Sequence, residues 1–288
     1  MSQTKTLAEL TIKNNFLFSA VMLDPENCRG LLEIILGIPI DRVIVSREQC
    51  LIYHPEYRSV RLDIYARDSR NTHYNVEMQV SPKPALAKRC RYYHSQMDME
   101  LLLAGTDYTG LPDTYVIFIC DFDPFGKEKY RYKFRMTCEE SEDVEMADGR
   151  SILFLNTRGK NESEVPKELV TFLKYMKEDL EGSEKEFHDP YVEQLQKFVR
   201  EIKGSREMEE RFMIFEEMLK DERAEGRAEG RIETLKETLL LFLQELGSVS
   251  EELYNQIQMQ QDSEVLQQWT EIAFQSKELE EFTNKISL

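Results

Sequence analysis

The sequence predicts an α/β protein, with a mixed β-sheet flanked by helices over residues 1–160 and an all-helical region over residues 161–288. Three observations lead there. Short runs rich in β-branched and aromatic residues, bounded by turn residues, recur between positions 43 and 156. Stretches with helical spacing of apolar residues are set among them. From Glu162 onward the strand signals stop and only helical patterns remain.

Two helices come first. Residues 14–23 carry apolar Phe16, Leu17, Ala20, Val21 and Leu23. Asp24-Pro25 has the form of an N-cap followed by proline at the first helical position, and the second helix runs to Leu36, with Gly37 as its C-cap. Residues 43–53 read as a strand. Residues 59–66 and 73–80 read as two more, joined by a polar turn at 67–72. A helix over 84–104 ends before Gly105. A buried apolar strand follows at 114–122, and an alternating stretch at 130–137 pairs with 151–156. The order is ααβββαβββ, and the polar loop at 156–164 marks the boundary between the two regions. Beyond it, helices are expected at 165–180, 191–203, 207–246, 250–260 and 263–275.

Of the 288 residues, 41% are hydrophobic, enough for a sizeable core. No apolar run approaches the roughly 20 residues that span a bilayer, so no membrane association is expected. Residues 1–13 lack the apolar segment of a secretory signal. The five cysteines are scattered, odd in number and free of Cys-x-x-Cys spacing, which points to reduced thiols and a cytoplasmic location. The four histidines do not pair at zinc-site spacings.

A net charge of −17 is unexpected for a protein that touches nucleic acid, but it is unevenly spread. Residues 1–160 sum to −2 and residues 161–288 to −15. Between Arg58 and Arg91, eight basic residues face three acids. Binding phosphate needs positive charge gathered on one surface, not a basic total. Such a cluster also serves simply to solvate a surface.

The strands at 59–66 and 73–80 carry the chemistry. Alternation puts Arg61, Asp63 and Tyr65 on one face of the first, and Asn75, Glu77 and Gln79 on one face of the second. A hairpin centred on Arg70 sets Asp63 opposite Glu77, Arg61 opposite Gln79 and Tyr65 opposite Asn75. Directly opposed Cβ atoms lie about 4.5–5.5 Å apart, and two carboxylates that close repel unless a cation lies between them. Mg²⁺, which takes one or two carboxylates plus water, suits such a pair. The same alternation also describes an ordinary exposed sheet face, with Asp63 paired to Arg61 and Glu77 in water.

Several segments, taken in order, resemble the PD-(D/E)XK nuclease superfamily, and more closely the Rpn family of recombination-promoting nucleases and transposases. They are Asn15-Phe16-Leu17-Phe18, Leu31-Leu32-Glu33-Ile34-Ile35-Leu36-Gly37, Arg61-Leu62-Asp63-Ile64-Tyr65, Val76-Glu77-Met78-Gln79, Arg89-Cys90-Arg91-Tyr92-Tyr93 and Gly105-Thr106-Asp107-Tyr108. The resemblance covers about the first 160 residues and implies a restriction-endonuclease-like core. It further implies metal-dependent cleavage of DNA, with Mg²⁺ or Mn²⁺ held by Asp63, Glu77 and the backbone carbonyl of Met78. Gln79 stands where the superfamily usually has a lysine that stabilises the charged phosphate. That departure keeps a second expectation open, a catalytically inactive nuclease fold that binds DNA or another protein. Glu33 falls where related nucleases place an additional carboxylate, and it also lies one turn from Arg29 as a surface ion pair would. Arg89, Tyr92, Tyr93 and Gln96 share a helical face. That face either contacts phosphate, together with Arg61, or packs tyrosines on the sheet.

In the tail, a four-residue repeat stacks Arg223, Arg227 and Arg231 in one stripe and Glu225, Glu229 and Glu233 in another, with Ala224, Gly226, Ala228 and Gly230 between. Like charges at i, i+4 and helical glycines disfavour a lone helix. The repeat therefore fits either self-association through a partner helix or a solvated linker.

Overall fold

The computed structural model describes residues 5–51, 60–141 and 143–286, with the backbone alone at 47–51, 60–61 and 222. Helices α1 (Asn15–Met22) and α2 (Pro25–Leu36) open the chain. The Asn14 side chain caps α1 by accepting from the Phe16 and Leu17 amides. Asp24 caps α2 in the same way, and Gly37 closes it at φ 72°.

A six-stranded sheet follows, built of β1 (Val43–Leu51), β2 (Val60–Asp68), β3 (His73–Gln79), β4 (Thr114–Cys120), β5 (Arg131–Phe134) and β6 (Arg150–Asn156). Its spatial order is β1-β2-β3-β4-β6-β5. The β3–β4 and β4–β6 pairs are parallel and the rest antiparallel, so the sheet is mixed as expected. The expected ends of the first two strands at 52–53 and 59 lie outside the described residues. β5 is shorter than its alternation suggests, continued only by an isolated bridge between Thr137 and Glu145.

Helix α3 (Leu86–Leu101) is trimmed at both ends relative to the sequence pattern. Pro84 brings no amide donor, and Ala85 takes a left-handed conformation at φ 61°. The helix lies on one sheet face, where Cys90, Tyr93 and Met97 pack with Val116, Phe118, Cys120 and Phe154. α1 packs against β2 and α2 against β1. Lys13, just before α1, reaches Asp121 at the end of β4 at 3.1 Å. Both faces of the central strands are therefore covered, and every residue of β3 is buried.

The chain divides into two compact units, Met1–Phe212 and Met213–Leu288. This division falls later than the polar loop at 156–164, because α4 (Lys167–Lys177) and α5 (Pro190–Lys203) pack onto the first unit. On α5, Tyr191 donates its hydroxyl to the Asn27 carbonyl at 2.6 Å, and Gln194 Nε2 lies 2.6 Å from Asn27 Oδ1. Gly30 makes room for the ring: a Cβ there would lie 2.6 Å from Tyr191 Cε2.

The second unit is helical, with most of α6 (Arg206–Leu246), then α7 (Glu251–Met259), α8 (Ser263–Gln275) and α9 (Leu279–Ile286). Its core gathers Leu239, Leu243, Leu253, Ile257, Leu266 and Phe282. Among the described residues, no helix is long and apolar enough to cross a membrane.

Candidate active site

The β2–β3 hairpin has the register expected from its sequence, with Ile64 opposite Val76, Tyr65 opposite Asn75, Ala66 opposite Tyr74 and Arg67 opposite His73. Asp68 fixes the turn. Its Oδ1 accepts the Arg70 and Thr72 amides at 2.9 and 2.8 Å, and its Oδ2 accepts the Tyr74 hydroxyl at 2.8 Å.

Past Ile64 and Val76, side chains take over from the ladder. The Asp63 amide donates to Glu77 Oε1 at 3.2 Å, and the Met78 amide donates to Asp63 Oδ2 at 3.2 Å. Each carboxylate thus binds the other's strand, and the two acids occupy one opening between β2 and β3. In a strand the N–H and C=O of one residue leave on the same edge, so the Met78 carbonyl also faces this opening. The next carbonyl, that of Gln79, goes the other way and accepts the Asp121 amide at 3.0 Å.

This face is not open to water. Glu77 is 4% exposed, Gln79 5% and Asn75 0%, so Glu77 does not stand in water as on an ordinary surface, while Asp63 on β2 is half-buried. α3 covers it. Arg89 Nη2 donates to Glu77 Oε2 at 3.2 Å and to the Tyr93 hydroxyl at 2.7 Å, while Nη1 donates to Gln79 Oε1 at 3.0 Å. The guanidinium also lies over the Phe118 ring, 5.2 Å from its centroid. Gln79 is locked from its other side, Nε2 donating to the Ser81 carbonyl at 2.7 Å. Burial, and then the Asp63 charge, push the Glu77 carboxyl up to about 8. The Asp63 amide, Arg89 and the Asn75 amide act against that rise.

Of the sequence-predicted residues, the structure brings together Asp63, Glu77, Met78, Gln79, Arg89 and Tyr93. Tyr93 is stacked on Phe118 at 6.2 Å and its hydroxyl accepts from Arg89, so it both packs on the sheet and holds the guanidinium. Gln96 is half-buried on α3 and makes no hydrogen bond to this cluster among the described residues. The Arg61 side chain lies outside the described residues. Glu33 is not brought to the pair. It binds Arg29 at 2.9 Å and accepts the Ile40 amide at 2.9 Å, clasping the end of α2. Sequence reading placed Asn75 on this face, opposite Tyr65, without giving it a role, and missed Phe118. The apolar face of α3 (Cys90, Tyr93, Met97) is the signal that this sheet face is covered.

The donors suit a hard divalent cation. They are all oxygen, and Mg²⁺ needs only one or two carboxylates beside its waters. Among the described residues, no three His, Cys, Asp or Glu side chains converge on one point. A third protein donor would therefore come from the backbone, where the Met78 carbonyl stands.

A mixed α/β core whose central hairpin ends in a buried Glu77 beside a half-buried Asp63, followed by a helix carrying Arg and Tyr, defines the PD-(D/E)XK nuclease class of fold. The chain belongs to the PD-(D/E)XK nuclease family transposases, whose family model matches residues 13–229. Comparison with curated proteins and with solved structures gave no match.

Proposed function

We propose that this protein is a metal-dependent DNA endonuclease of the recombination-promoting nuclease and transposase type, which hydrolyses phosphodiester bonds. The observation that carries this reading is the reciprocal bonding of Asp63 and Glu77 across the hairpin, which holds two carboxylates and the Met78 carbonyl around one opening. Asp63, Glu77 and that carbonyl would hold Mg²⁺ or Mn²⁺. When bound, the ion would supply Lewis-acid polarisation of the phosphate and a more acidic water.

The chain's own groups do the rest. Gln79, fixed through Ser81, holds Arg89 by its amide oxygen. Arg89 brings from α3 the positive charge that position 79 lacks, neutralising charge that builds on the phosphate. Tyr93 sets the guanidinium, and Arg61 and Gln96 contact the DNA backbone. The acidity of the second region keeps DNA to the first.

Gln79 in place of lysine, with Arg89 already bound to Glu77, favours a second reading: an inactive nuclease fold that binds DNA. Incubating supercoiled plasmid with the protein and Mg²⁺ or Mn²⁺ separates the two. Nicking that vanishes in Asp63→Ala and in Glu77→Ala supports the enzyme. DNA retention with intact plasmid supports the binding module.

We also propose self-association through the repeat in α6. Gly226 and Gly230 have open space where a side chain would stand, and the Arg stripe of one copy complements the Glu stripe of another.

A further inference from the structure

Asn75 lies two residues before Glu77 on the same face of β3. It is fully buried, and neither its Oδ1 nor its Nδ2 makes a hydrogen bond of good geometry among the described residues, although its amide lies near enough to the Glu77 carboxylate to favour the charged acid. Its surroundings offer little. Tyr65, opposite on β2, has its hydroxyl 2.5 Å from His73 Nδ1, and the neighbour on β4 is Val116. α3 closes the face with Cys90, Tyr93 and Met97. Leaving buried polar atoms unpaired is costly, and interiors pair about nine-tenths of theirs. The strand itself does not require an amide here, because its ladder uses backbone atoms and a β-branched residue would suit it better. The next side chain along this face is the Glu77 carboxylate, whose Oε1 takes the Asp63 amide and whose Oε2 takes Arg89.

We propose that Asn75 is a positioning residue for Glu77, its Nδ2 being the reserve donor that fixes the carboxylate once Oε2 leaves Arg89 to face a divalent cation. The proposal rests on the metal-site reading above. It explains why the fold keeps an unpaired amide in its centre. Arg89 holds Oε2 of the acid in this structure, and with a cation on that oxygen Asn75 would be the donor left to orient it. Outer partners of ligating carboxylates typically change metal affinity by about 10–100-fold.

The test uses full-length protein and Mn²⁺. Free Mn²⁺ is followed by its electron paramagnetic resonance signal, and urea unfolding is measured in EDTA. For Asn75→Val the Mn²⁺ Kd should rise about tenfold or more, while the metal-free protein unfolds at an equal or higher urea concentration, since an unpaired amide is gone. A merely structural asparagine would shift the urea midpoint and leave Mn²⁺ affinity alone. Affinity within twofold of wild type therefore overturns the proposal. If Asn75→Val does not fold, Asn75→Ala carries the same comparison. Asp63→Asn separates the two levels. If wild type shows no Mn²⁺ binding that Asp63→Asn abolishes, the metal site and Asn75's role fall together. If Asp63→Asn abolishes binding and Asn75→Val leaves it unchanged, only Asn75's role falls.

Discussion

Arg89 reaches from α3 to the buried Glu77 carboxylate, its Nη2 3.2 Å from Glu77 Oε2. The guanidinium stands between an acid that is 4% exposed and the amide oxygen of Gln79. The pair ties α3 to β3, and so couples the helix to the hairpin that carries both acids.

Breaking that pair from one side should destabilise the protein. Removing one partner of a fully buried ion pair costs about 3–5 kcal/mol. The Arg89 side chain is 30% exposed, and Glu77 can take up a proton, so Arg89→Met should lose less, about 1–3 kcal/mol. Adding Glu77→Gln to Arg89→Met should recover much of the loss, because no uncompensated acid then remains. Urea unfolding of the four proteins of this cycle at pH 7 measures the coupling; additive effects would mean that the two side chains do not interact.

A second prediction concerns pH. His94 is buried on α3, its Nδ1 2.9 Å from the Thr114 hydroxyl. Burial, and then the Arg150 charge, hold its pKa down at about 4, against 6.5 for a free side chain. The unfolded chain therefore binds a proton that the folded protein refuses. The stability from a neutral His94 is present above pH 6.5 and is lost as pH falls toward 4, by up to about 3 kcal/mol. Urea midpoints between pH 4 and 7 should fall less steeply for His94→Gln than for wild type. Equal slopes would mean that His94 titrates alike in both states.

The parts of this fold written in local chemistry are legible in the sequence. Asn14 and Asp24 announce their helices, and Gly37 ends one. The turn around Arg70 sets the hairpin register, and with it the meeting of Asp63 and Glu77. What local pattern does not carry is which face of a strand is covered. Asn75, Glu77 and Gln79 are polar and alternate as a wetted face does, yet α3, contributed by residues 86–101, buries them. The place of α4 and α5 is hidden for the same reason. The polar loop at 156–164 looks like a boundary, while the bonds from Tyr191 and Gln194 to Asn27 bridge more than 160 positions of sequence.

Those long-range bonds give a third prediction. Gly30→Ala drives a methyl to 2.6 Å from the Tyr191 ring, and overpacking of this kind costs about 1–3 kcal/mol. Gly30→Ala combined with Tyr191→Ala should be less than additive, because the clash is gone. A fragment ending at residue 160 should expose the surface that α5 covers and aggregate, whereas one ending at 212 should give a cooperative urea transition. A stable, monomeric 1–160 fragment would show that α4 and α5 are dispensable.

The fourth prediction tests pairing through α6. Reversing the Arg stripe in the full chain (Arg223→Glu, Arg227→Glu and Arg231→Glu) sets like charges against the Glu stripe of a second copy. Each exposed pair contributes only about 0.2–1 kcal/mol, but six facing positions in two copies reinforce one another, and their sign sets partner choice as it does in coiled coils. Light scattering after size exclusion should show wild type above the monomer mass and the reversed variant at it. The complementary variant (Glu225→Arg, Glu229→Arg and Glu233→Arg) should also be monomeric alone, since its own stripes now match in sign, and should form a mixed dimer with the first. Raising the salt should weaken wild type and mixed dimer together. A wild-type protein at the monomer mass throughout would leave the repeat as a solvated helix, its open glycines facing water.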